Sequence, residues 1–82
     1  MPSVRVSIQE FPAHIYVVFY RDNKSIGPMR RYSTQERVME LLRRCHANLE
    51  TINIVEMSLQ ARRPCVVEVN LTDEQIRKLS AA

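Results

Sequence analysis

The chain has 82 residues, of which 45% are hydrophobic and 26% charged, and its formal net charge is +3. That mix excludes an intrinsically disordered chain, and no run approaches the ~20 consecutive apolar residues that a membrane-spanning helix requires. A single glycine and the lack of any Gly/Ser-rich stretch leave no flexible linker, so one domain is expected over residues 1–82.

In chain order, Val4, Val6 and Ile8 alternate with Arg5, Ser7 and Gln9, the period of a half-buried strand. Residues 10–13 (EFPA) interrupt the pattern, because proline brings no N–H to a ladder. The stretch 14–21 (HIYVVFYR) is β-branched or aromatic on both parities, with Ile15, Val17 and Phe19 on one and His14, Tyr16, Val18 and Tyr20 on the other. Such a strand is central in its sheet, or has its second face covered by a helix or a partner. Residues 22–25 (DNKS) and Gly27-Pro28 are turn chemistry, and residues 26–32 form a candidate third strand.

A first helix is expected over residues 34–47. Ser33 serves as its N-cap and Glu36 completes a capping box. Val38, Leu41, Leu42 and Cys45 share one face, with Leu49 continuing the stripe, while Arg37, Glu40, Arg43 and Arg44 lie opposite. Residues 49–59 (LETINIVEMSL) read as a strand with Ile52 and Ile54 on one face. Val55, Met57 and Leu59 take the other parity, which demands a bulge or burial on both sides. After a connection at residues 61–64 (ARRP), Cys65, Val67, Val69 and Leu71 alternate with Val66, Glu68 and Asn70, a strand with one solvated face.

Thr72 caps a short last helix, Gln75 sits at the capping-box position, and Leu71 can staple onto Ile76. Asp73 and Glu74 in its first turn, with Arg77 and Lys78 in its last, match the helix dipole. That helix is expected to dock on the sheet edge or to reach towards another chain. The fold class is therefore α+β: a mainly antiparallel sheet of four to five strands with two helices, in the order β-β-(β)-α-β-β-α.

Catalytic chemistry finds little support in these residues. There is no GxGxxG, Walker loop or HExxH. Cys45 and His46 are adjacent, so on a helix they point about 100° apart, and Cys45 falls on the apolar stripe. Glu36 and Glu40 share a solvated face with Arg37 and Arg44 rather than a cleft. His14, Cys45, His46 and Cys65 lack the CxxC or HxxxH spacing of a zinc site. The expectation is a non-enzyme without metal or cofactor.

Binding chemistry is better represented. Residues 30–47 carry five arginines against Glu36 and Glu40, so the positive excess sits in the middle of the chain. Arg30 and Arg31 stand just ahead of a helix N-terminus, which attracts anions. With Arg37, Arg43 and Arg44 they make a candidate stripe for anions or a nucleic-acid backbone, next to Tyr16, Tyr20 and Tyr32 as stacking groups. The competing explanation is ordinary solvated charge, with Arg44 paired to Glu40 at i,i+4.

Protein contacts would instead use the two-faced strand 14–21 and the mixed parity of residues 52–59. Tyr16, Val18, Tyr20, Val55 and Met57 are the candidate interface residues. The favoured function is a small, basic, non-enzymatic adaptor or regulatory binding module acting through protein–protein contacts, as a homodimer. The alternative is a nucleic-acid-binding protein using the arginine stripe. The sequence neither names the partner nor carries a signal-peptide pattern after Met1-Pro2, and a cytoplasmic location is expected.

Overall fold

The computed structural model describes residues 3–11 and 14–81. Strict alternation drives the first two strands: β1 (Ser3–Phe11) buries Val4, Val6 and Ile8, and β2 (His14–Arg21) buries Ile15, Val17 and Phe19. A two-residue loop turns β2 into β3 (Lys24–Tyr32), with Arg21 opposite Lys24. Both loop residues, Asp22 and Asn23, have positive φ (53° and 65°). That is the type I′ geometry whose twist matches paired strands, and Asp and Asn tolerate it better than most residues. The strand left as a candidate at residues 26–32 thus exists and is longer. The first strand also continues through Glu10 and Phe11, which pair with Ile15 and His14. Pro12 and Ala13 of the expected interruption lie outside the described residues.

Three helices follow β2 and β3, not two. They are α1 (Gln35–Arg44), α2 (Leu49–Gln60) and, after β4 (Cys65–Asn70), α3 (Asp73–Ala81). The order β-β-β-α-α-β-α corrects the strand expected over residues 49–59. Asn48 caps α2 by accepting a hydrogen bond from the Thr51 N–H at 2.8 Å. Ile52, Val55 and Leu59 then fall on one helical face, with Val55 and Leu59 buried. Burial of this face against α1 and β4 overrides the β-branched composition of residues 51–55, since propensity is a weak prior.

The caps refine the remaining boundaries. Thr34, not Ser33, caps α1, its hydroxyl accepting from the Arg37 N–H at 3.3 Å. Glu36 therefore sits one position too early to close a capping box and acts through its charge in the first turn. Helix α1 ends at Arg44 in a Schellman motif: His46 N–H donates to the Arg43 carbonyl and Ala47 N–H to the Leu42 carbonyl, at 3.0 and 3.1 Å. His46 occupies the left-handed position (φ 57°). The same motif closes α2, with Arg62 at φ 56° and Arg63 N–H donating to the Ser58 carbonyl. Leu49, expected to extend the α1 stripe, opens α2 instead and is exposed.

At α3 the Thr72–Gln75 box is reciprocal, with the two hydrogen bonds at 2.8 and 3.1 Å. As expected of a short C-terminal helix, α3 docks on an edge strand, β3. There Gly27 (φ +69°) lets the chains approach so closely that a Cβ would lie 2.1 Å from the Leu79 carbonyl oxygen.

The strands form one antiparallel sheet in the order β3-β2-β1-β4, so β2 is central, as its two-faced composition implied. One sheet face meets the helices. The core there joins the inward strand residues to Val38, Met39 and Leu42 of α1, Val55 and Leu59 of α2, and Leu79 of α3. The helices cover this face and leave the other open.

Candidate interaction face

The pairing register sets the open face in rows across the sheet. Glu68, Arg5, Tyr20 and Ser25 form one row, Val66, Ser7 and Val18 the next, and Gln9, Tyr16 and Arg31 a third. Residues directly opposite on antiparallel strands hold their side chains on the same face. Tyr20, Val18 and Tyr16 therefore form a ridge along β2, each half-buried by its neighbours. His14 continues the ridge, its ring meeting Tyr16 edge-on at 6.4 Å between centroids. Beside the ridge Ser7 is too small to fill its place. A shallow hollow of about 260 Å³ results, walled by Tyr20 and Val66 and rimmed by Arg5 and Asn23. The Arg5 guanidinium donates to the Asn23 side-chain oxygen at the exposed rim of the hollow. Val66 is 63% exposed, a large apolar surface for a β-branched residue.

The five interface candidates divide three ways. Tyr16, Val18 and Tyr20 share the open face. Val55 is fully buried in the core, because the segment is helical and its inward face includes position 55; it cannot be an interface residue of the folded domain. Met57 is 69% exposed but belongs to α2, on the helical layer. Arg5, Ser7 and Val66 complete the open face and escaped the sequence reading. Alternation did assign them to outward parity, but only the strand order and register bring them beside Tyr20.

The five arginines do not form one stripe. Arg30 and Arg31 are neighbours on β3, so they face opposite sides of the sheet. Arg31 lies opposite Tyr16 on the open face, whereas Arg30 lies opposite Val17 on the helix-covered side. There the Arg30 guanidinium stands 6.0 Å from the Phe19 ring centroid, a cation–π distance. Its Nε is buried without a hydrogen-bond partner, at a cleft of about 280 Å³ that Arg44 and Lys78 also line, so Arg30 and Arg44 of the expected stripe do come together there. On α1, Arg44 is committed to Glu40 at 2.7 Å, and Arg37 and Arg44 both border a small recess that contains Glu40. The carboxylate offsets one of the three positive charges that Arg37, Arg43 and Arg44 place on α1.

Both cysteines carry free thiols. Burial pushes the Cys45 thiol above its ordinary value, with the Arg30 guanidinium pulling it part of the way back. Cys65 shifts the same way through burial, opposed by a hydrogen bond with the Ser58 side chain. Both thiols therefore stay protonated and weakly nucleophilic near neutral pH. Among the described residues no three His, Cys, Asp or Glu side chains gather in a metal-binding arrangement.

No family model, curated protein or solved structure matches this chain.

Proposed function

We propose that this domain is a non-enzymatic adaptor or regulatory module that docks a protein partner on the uncovered face of its sheet. The observation that carries the reading is the composition of that face: Tyr16, Val18 and Tyr20 in a ridge, flanked by Arg5, Arg31 and Val66. Tyrosine and arginine are enriched at protein interfaces and at their energetic centres, and lysine and glutamate are depleted. The hollow over Ser7 supplies a socket for one apolar or aromatic side chain, with Arg5 and Asn23 at its rim for polar pairing. Strand β2 is hydrogen-bonded on both sides, so the ridge is pre-organised and little ordering is required on binding.

A second reading, binding of single-stranded nucleic acid, is favoured by the presence of Tyr16, Tyr20, Arg5 and Arg31 on the same face. Bases stack on aromatic rings while arginines meet phosphates. The α1 arginines, interrupted by Glu40, add less to it than the sequence suggested.

The test is capture from an extract of the source cells using the native domain, a Tyr20→Ala variant and a Ser7→Tyr variant that fills the hollow. Both substitutions lie on the open face and leave the core intact. A protein captured by the native domain after nuclease treatment, and lost with both variants, supports the proposal. Capture that vanishes with nuclease, or in high salt, favours the second reading. Capture that both variants retain refutes the open face as the docking site.

A further inference from the structure

The two edges of the sheet are protected very differently. Edge strand β3 carries Lys24, Gly27 and Pro28, has a register shift against β2 between Val17 and Phe19, and has α3 packed on it. Those are the devices that stop an edge from pairing with another strand. Edge strand β4 shares only one of them, the packed helix, here α2. Its sequence CVVEVN contains no proline, glycine or lysine, and it pairs regularly with β1 from Ser3–Asn70 to Ile8–Cys65. Its outer side meets no other strand among the described residues.

We propose that β4 is the seam through which a second copy of this chain adds its own β4, antiparallel about a two-fold axis, to build one eight-stranded sheet. Charge decides the orientation. The chain runs into β4 through Arg62 and Arg63 and leaves it through Asp73 and Glu74. All four side chains are exposed, and the only ion pair any of them makes among the described residues is the long Glu74–Lys78 contact at 3.7 Å. An antiparallel seam sets the basic end of each copy beside the acidic end of the other, twice. A parallel seam would set like charges together.

Register follows from the core. Keeping both helix layers on one side requires residues of equal parity to lie opposite. The register centred on Val67 does this and places Val66 opposite Glu68 of the second copy, whereas centring on Glu68 would set two carboxylates side by side.

Strand pairing alone would bury less than the ~1,200 Å² typical of a specific interface. The helix layer supplies more. Helix α2 packs against β4, so the two α2 helices flank the axis. Among the described residues, the exposed large apolar side chains include Leu49, Ile54 and Met57 of α2 and Val66 of β4. The dimer also doubles the function proposed above without depending on it, since the two open faces join into one continuous surface with two ridges.

The experiment is a charge swap read by sedimentation velocity over a wide concentration range. One variant carries Arg62→Glu and Arg63→Glu, the other Asp73→Lys and Glu74→Lys. The native chain should be a dimer. Each variant alone should dissociate about tenfold or more readily, since attraction becomes repulsion at both symmetric contacts. An equimolar mixture of the two should restore the dimer, because both contacts then become attractive, and recovery in the mixture also shows that both variants fold. The proposal is overturned if the native chain stays monomeric, if dimers survive either reversal, or if the mixture stays monomeric. Tyr20→Ala should leave the mass unchanged, so failure of the seam and failure of the open-face reading produce different results.

Discussion

Gly27 is where the fold tolerates the least change. Replacing it with alanine places a methyl group 2.1 Å from the Leu79 carbonyl oxygen, at a residue whose φ is +69°. Backbone conformation comes first: an L-residue in the left-handed region costs about 1–2 kcal/mol. Contact comes second. A carbonyl oxygen in a helix cannot rotate aside as a side chain does, so α3 has to shift, and overpacking of this kind costs roughly 1–3 kcal/mol. Against these stands a gain of about 0.4–1 kcal/mol from the stiffer unfolded chain. The balance is a loss of roughly 1–5 kcal/mol, a large part of the roughly 4–12 kcal/mol expected of a domain this size. Since 1 kcal/mol moves the midpoint of a small domain by about 4–8 °C, Tm should fall by at least ~4 °C. Calorimetry measures the fall, and hydrogen exchange locates it, with the α3 amides losing protection before those of β1 and β2. A loss below ~0.5 kcal/mol, with α3 protection unchanged, would refute the close approach of β3 and α3 as the reason for this glycine.

Two further substitutions test the local physics. His46 holds the left-handed position of the Schellman motif after α1, so His46→Gly should raise stability by about 0.5–1 kcal/mol in urea unfolding; a loss would mean that the imidazole makes a compensating contact. Cys45 titrates above the ordinary thiol value of 9.0 because it is buried, so the native state holds that proton more tightly than the unfolded chain does. The resulting stability is fully present below pH 9 and is lost as the pH rises through the native value. Urea midpoints measured from neutral to alkaline pH should fall less steeply for Cys45→Ala than for the native chain, with Cys65 contributing the remaining slope in the same direction. Equal slopes would contradict the burial argument.

How much of this was legible beforehand depended on whether a signal was local. The Thr72–Gln75 box and the alternation on β1, β2 and β4 are fixed by neighbours a few residues apart and read correctly; of the turn expected over residues 22–25 and Gly27-Pro28, only Asp22 and Asn23 form the loop, and the rest belongs to β3. Helix α2 is the counter-example. Thr51, Ile52, Ile54 and Val55 suit a strand, and only packing of Val55 and Leu59 against β4 and α1 makes a helix the better solution. The signals were present: Asn48 as a cap, Ile52, Val55 and Leu59 at helical spacing, and a break in parity that a strand could absorb only with a bulge.

The candidate site shows the same division. The ridge of Tyr16, Val18 and Tyr20 follows from one strand's second face. Its flanks, Arg5, Ser7 and Val66, depend on β1 lying between β2 and β4, a long-range pairing that no local pattern encodes. The expected arginine stripe is split, with Arg31 on the open face and Arg30 in a cleft beside Arg44 on the helical side. Arg30 and Arg31 sit on a strand, so adjacency in sequence placed them on opposite sides of the sheet.

A photo-crosslinking amino acid tests the uncovered sheet face as the docking surface most directly. It would be introduced in place of Val18 or Tyr20 on the open face, and in place of Arg37 or Arg43 on the outer side of α1, then irradiated in the source cells. Covalent protein adducts are expected from the Val18 and Tyr20 positions and none from the other two. Adducts from Arg37 or Arg43, with none from the ridge, would contradict it and move the binding surface to the helical side of the domain.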